Sequence, residues 1–138
     1  MVTLIKLTEN DLSFLLEVRN DPSTRINLEN DSIFNLDQCK IWFQSLTSTW
    51  YIINKNSVPV GYFRTDGNTI GCDIHPMYRR NGYAKQAYIE YLKDKEYADL
   101  WVFEDNFAKN LYLDLGFKEI DEKKYIRNRL YIKMQYIK

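Results

Sequence analysis

"DIHPMYRRNGYAK", from Asp73 to Lys85, joins two different periodicities, and its reading decides the fold. The run before it, "TIGCDI" (69–74), is short, apolar and rich in β-branched residues, as a strand is. After Gly82, apolar groups at Ala84, Ala87, Tyr88, Tyr91 and Leu92 fall at i, i+3, i+4, i+7 and i+8, one stripe of an amphipathic helix. The junction is therefore strand, loop, helix. A helix start leaves several N–H groups without partners. No acidic side chain lies between Ile74 and Lys85 to compete for them, so the spot suits an anion.

On the N-terminal side, "WYIIN" (50–54), a turn around Lys55 to Ser57, "VGYFRT" (60–65), an Asp66-Gly67 turn and "TIGCDI" read as three antiparallel strands. Before them, "TLIKL" (3–7) reads as a strand, and Thr8 with Asp11 as a capping box for a helix carrying Leu12, Leu15 and Leu16. "RNDPST" (19–24) ends that helix. Asn35 with Gln38 caps a second helix with Leu36, Cys39, Trp42, Phe43 and Leu46 on one side. On the C-terminal side, "LWVF" (100–103) is a strand separated from "TIGCDI" by a long helix, which calls for a parallel crossover. Ala108, Leu111, Tyr112 and Leu115 make the next helical stripe, closed by Gly116 in a left-handed cap. Residues 125–137 finish as a hairpin. The order β α α β β β α β α β β predicts an α/β fold, a mixed central sheet of about seven strands flanked by about four helices, as one domain over residues 1–138.

With 138 residues, 45% of them hydrophobic, the chain has the apolar content for one core. Its 19 basic residues balance 19 acidic ones, so no overall field draws it to nucleic acid or to an anionic membrane, and any anion must be bound locally. Neither a leader nor a long apolar span is read, and a cytoplasmic location is expected. Cys39 and Cys72 have neither a C-x-x-C partner nor a nearby His, so both are expected to be reduced packing residues, with no metal site.

"IHPMYRRNGYA" after the fourth strand and "DNFAKNLYLDLGF" after the fifth resemble the corresponding elements of the GNAT superfamily of acetyl-CoA-dependent N-acetyltransferases, and the resemblance covers nearly the whole chain. The family loop R/Q-x-x-G-x-G/A is matched by Arg79, Gly82 and Ala84, with Arg80, Asn81 and Tyr83 between them. The resemblance implies acetyl-CoA as acetyl donor, its pyrophosphate on the segment Arg79, Arg80, Asn81, Gly82, Tyr83 and Ala84, and the backbone of Ile74 pairing with the pantetheine arm. Gly82 would let the backbone approach without a Cβ. Each arginine is equally well explained as a solvated surface residue. His75, the only histidine, is assigned to the turn. Counted from Ala108, Tyr112 stands where the family places the phenol that protonates the departing thiolate. Where the family carries an Asn for the pantetheine amide this chain has Asp105, followed by Asn106. Either Asp105 takes that contact or a small shift brings in Asn106, which serves equally well as a helix cap.

The acceptor implied by the resemblance is a small-molecule primary amine. The pattern R-N-x-P-x-x-R (19–25) followed by the Trp42-Phe43 helix is similar to enzymes acting on nucleotide-linked amino sugars, with Arg19, Asn20 and Arg25 as candidate contacts to a nucleotide diphosphate or a sugar hydroxyl, a solvated loop with structural arginines explaining them equally well. Protein N-termini and a non-catalytic CoA-binding module are the alternatives. Trp42, Trp50 and Tyr51 are assigned to the core rather than to a stacking platform. The oligomeric state is open, a homo-oligomer included. Family members with a catalytic carboxylate often carry it where this chain has Ile70 or Leu100, both apolar. Asp73 has the wrong strand parity unless a bulge rotates it, and Glu104 lies toward the pantetheine end, so no single side chain is expected to be indispensable as a base.

Overall fold

A computed structural model describes residues 1–138. One seven-stranded sheet runs in the order β1-β2-β3-β4-β5-β7-β6. Its strands are β1 (Thr3–Lys6), β2 (Tyr51–Lys55), β3 (Val58–Asp66), β4 (Thr69–Ile74), β5 (Tyr97–Phe103), β6 (Lys118–Ile126) and β7 (Arg129–Ile137). The helices are α1 (Leu12–Arg19), α2 (Pro22–Arg25), α3 (Leu36–Ser45), α4 (Tyr83–Leu92) and α5 (Lys109–Asp114). The sequence order is reproduced with one addition. "RNDPST" ends α1 as expected, but Asp21 then accepts from the Ser23 N–H and Pro22 occupies the first turn, which starts the one-turn α2.

The hairpin at the C-terminus is longer than the alternation predicts. Its first strand begins at Lys118 rather than near Tyr125, because "KEIDEKK" is an exposed edge strand whose charges hide the strand period and keep the edge from pairing with other chains. Asn56-Ser57 and Arg127-Asn128 make two of the three tight hairpin turns, all four residues at positive φ. No helix is long and apolar enough to cross a membrane.

Strand alternation divides the core. Ile53, Phe63, Ile70, Leu100 and Met134 face α4, where Ala87 and Tyr88 are fully buried. Ile52 and Tyr62, one residue out of phase, face α1 and α3 with Leu12, Leu15, Val18 and Cys39. Trp42 and Trp50 pack here edge to face at 4.7 Å, and Tyr51 packs on Tyr91 on the other face, so all three serve the packing assigned to them. On the β5-β7 half, the Trp101 and Tyr131 rings stack at 5.4 Å under the ammonium of Lys124.

The feature that positions the site is a failure of pairing. β4 and β5 are parallel, as the crossover requires, but they pair only at Thr69↔Asp99 and then diverge. Asp99, 5% exposed, fixes that vertex by accepting from the hydroxyls of Thr69 at 2.5 Å and Tyr97 at 3.0 Å. Beyond it the sheet is open.

Candidate active site

A cleft of about 520 Å³ occupies the opening between β4 and β5. It takes side chains from both sides of the sheet: Tyr83, Ala84, Tyr88, Leu111 and Tyr112 from α4 and α5, and Ser23, Thr24 and Asn27 from the segment after α1. Ile74, Arg79, Arg80, Gly82 and Asn106 also line it, as do Cys72 and Asp73. Most of the residues singled out in the sequence are thus brought to one place.

Gly82 starts α4 at φ 76° and ψ 12°, a left-handed conformation that costs a side-chain-bearing residue energy, and no side chain caps the helix. Its first-turn N–H groups are left for an incoming acceptor. The two arginines separate cleanly. Arg79 is committed inside the protein: Nε donates to the Ile74 carbonyl at 3.1 Å, Nη1 to Ser23 Oγ at 2.6 Å and Nη2 to Thr24 Oγ1 at 2.9 Å. It ties α2 to the end of β4. The same bond occupies the carbonyl of Ile74, whose backbone the resemblance pairs with a bound arm, leaving the Ile74 N–H on the open edge. Arg80, at φ 65°, is exposed at the rim. Asn81 turns back on the loop, its amide donating to the carbonyls of Tyr78 and Arg79. It holds the loop's shape and does not line the cleft.

His75 takes the turn role assigned to it. Its Nδ1 accepts from the Met77 N–H at 3.1 Å, and its ring is stacked on Phe14 rather than turned to solvent. Of Asp105 and Asn106, it is Asn106 that reaches the cleft. Its Oδ1 accepts from the Ala108 N–H at 2.9 Å, so it also opens the turn before α5. Asp105 points away to a two-pronged contact with Arg129, at 2.7 and 3.2 Å, which holds its carboxyl below the usual range. Glu104 is paired with Lys109 at 2.8 Å.

Tyr112 Oη lies 3.4 Å from Tyr88 Oη in the cleft wall, the rings edge to face at 5.5 Å. Burial pushes the Tyr112 phenol well above its ordinary value, so it holds its proton at neutral pH. Tyr88 had been read only as part of the helical stripe; nothing in its spacing separates a core tyrosine from a cleft tyrosine. Cys72 lines the same wall, its thiol pushed up to about 12 by burial. Tyr62, Tyr88 and Tyr131 are raised by burial too.

These shifts have a common sign. Each folded-state value lies above the unfolded one, so the unfolded chain loses its protons first as pH rises, and stability that is complete below about pH 8 falls first through Cys72 at about pH 9 and then through the phenols as pH passes about 10. Thermal melts are expected to be level from about pH 7 to 8, to decline slightly at about 9 and to drop steeply above about 10. A midpoint unchanged at pH 11 would mean these groups are not buried as described.

No protein-family model and no curated protein sequence matches this chain. Solved structures do. The ribosomal-protein-alanine N-acetyltransferase from Brucella melitensis superposes with a TM-score of 0.79 at 18% identity, over 100% of this chain and 99% of that one. An acetyltransferase from Thermus thermophilus gives 0.78 at 16%, over 100% and 97%. AAC(6')-Ib in complex with ribostamycin and coenzyme A gives 0.76 at 18%, over 99% and 93%. Identities this low speak for architecture alone. In strand order, crossover and the cleft between diverging strands, the chain has the fold of the GNAT N-acetyltransferases.

Proposed function

We propose that this protein transfers an acetyl group from acetyl-CoA to a primary amine. One observation carries the reading: the divergence of β4 and β5 places an uncapped helix start and a buried, protonated phenol in the same cleft. The donor set fits an acyl-CoA. The first turn of α4 with Gly82, Tyr83 and Ala84 offers N–H groups to a pyrophosphate, Arg80 offers a charge, and the open edge of β4 at Ile74 offers a backbone donor to an extended amide arm. Asn106 retains a free amide nitrogen on the same side. Acetyl-CoA supplies a thioester acetyl group. Tyr112 Oη supplies a proton to the thiolate that leaves, and the proton the attacking nitrogen loses as the amide forms returns, through solvent, to restore the phenol.

For the acceptor we propose an amino sugar, in first place one linked to a nucleotide. The aminoglycoside complex named above, an amine-bearing sugar on the same fold, supports the sugar class. Of the two roles open to Arg19, Asn20 and Arg25, the structural one accounts for their bonds. Arg19 donates to the carbonyls of Ser32 and Asn30, Asn20 exchanges two hydrogen bonds with the Phe34 backbone, and Arg25 Nε donates to the Asp31 carbonyl. All three shape the loop after α2.

The experiment is mass spectrometry of products from acetyl-CoA and a panel of amines. A nucleotide-linked amino sugar is expected to be acetylated faster than peptides or free polyamines. Products from protein N-termini alone would replace the acceptor proposed here, and CoA binding with no product from any amine would leave a non-catalytic module.

A further inference from the structure

Asp73 is the one carboxylate that lines the cleft, and its bonding is incomplete. The β3–β4 register runs unbroken from Gly61↔Ile74 to Asp66↔Thr69, so no bulge rotates Asp73 and it stays on the Tyr62 side of the sheet. Its Oδ2 is fully shielded, 3.5 Å from Arg64 Nε, and neither of those two atoms has a hydrogen-bond partner. The buried Tyr62 phenol on the same face of the sheet is the one protein hydroxyl beside the carboxylate, which helps hold that phenol's proton; the Asp73 side chain is 17% exposed and lines the cleft, so part of it is open to a ligand. An ionised carboxylate has about four acceptor positions, and unused ones in a sheltered site are costly.

The surroundings say what would use them. Across the cleft stand the small polar groups of Ser23, Thr24 and Asn27, and the nearest cation there, Arg79, has its guanidinium directed to the first two and to the Ile74 carbonyl. Arg64 supplies the countercharge from behind but no hydrogen bond. What is missing is an N–H donor from outside the protein. We infer that Asp73 is the acceptor-positioning residue: its cleft-facing oxygen receives an N–H of the acceptor's amino group and sets that nitrogen in the opening between β4 and β5, opposite Tyr112. This rests on the acetyl-transfer reading for its purpose, though not for the binding itself.

Asp73 on this account holds the amine and is not its indispensable base, which separates affinity from turnover. The probes are glucosamine, alanyl-alanine and 1,4-diaminobutane, each against its N-acetyl form, titrated into CoA-saturated protein by NMR, with transfer kinetics on whichever amine binds best. At least one free amine is expected to shift the amides of residues 72–74 more strongly than its N-acetyl form does. Asp73→Asn is expected to weaken that binding, and to raise the acceptor KM, about tenfold, with kcat within about tenfold of wild type. Glu104→Gln, outside the cleft, should change neither. Because Asp73→Asn strands a charge at Arg64, the double variant Arg64→Gln/Asp73→Asn is made beside it and is expected to show the same loss while folding normally. Amine binding that depends on Asp73 in a protein that transfers no acetyl would sustain this inference and sink the enzymatic one. Equal amine affinity in wild type and both variants, or no amine bound by wild type, overturns it. So does a hundredfold fall in kcat at unchanged KM, which would make Asp73 a base.

Discussion

Tyr112→Phe is expected to lower kcat about a hundredfold and to leave acetyl-CoA affinity within about twofold, the pattern of a lost proton donor that contributes little to binding. The substitution removes one oxygen from a ring packed edge to face on Tyr88 and Phe117, so the wall of the cleft keeps its shape. The hydroxyl's only hydrogen bond is the long 3.4 Å contact with Tyr88 Oη. Little stability depends on it. Steady-state kinetics with a thermal melt as control decide the matter: unchanged turnover would return Tyr112 to the core, and a fall in turnover with a lower melting temperature would point to packing instead.

Gly82→Glu should weaken acetyl-CoA binding at least thirtyfold, roughly 2 kcal/mol. Two effects act together. Any side chain is strained at φ 76° at the mouth of α4. The carboxylate would also stand at the helix start, where the proposed pyrophosphate belongs, and like charges repel there. Space is not the problem, since an added Cβ would meet only Gln86 Nε2 at 3.9 Å. Gly82→Ala therefore separates the two contributions and should fall between wild type and Gly82→Glu in affinity. Equal affinity in all three proteins would show that the α4 start does not receive the anion.

The strand-to-helix junction at Ile74 to Tyr83 was legible because Pro, Gly and a change of period coincide there. The apolar stripes of α4 and α5 were legible for the same reason, and α5 brings Tyr112 to the wall of the cleft. Local rules had no access to long-range bonds. Arg79 reads as a free cation in sequence, yet its partners Ser23 and Thr24 lie more than fifty residues away. For Arg19 and Arg25 the sequence left a substrate contact and a structural loop role open, since a guanidinium that ends on backbone carbonyls leaves no mark on spacing. Parity placed Asp73 on the Tyr62 side correctly. That the cleft passes through the sheet, so that such a residue still lines it, follows only from the single pairing between β4 and β5.

On the proposed reading, the same divergence lets a chain with no net charge take a large anion, because the cleft offers oriented backbone N–H groups and one exposed arginine, Arg80, rather than a basic surface. Calorimetric titration of acetyl-CoA into the wild-type protein tests that claim most directly. A single site with a roughly micromolar Kd, lost in Gly82→Glu and kept in Tyr112→Phe, is the result predicted here; no heat of binding at millimolar acetyl-CoA would contradict it.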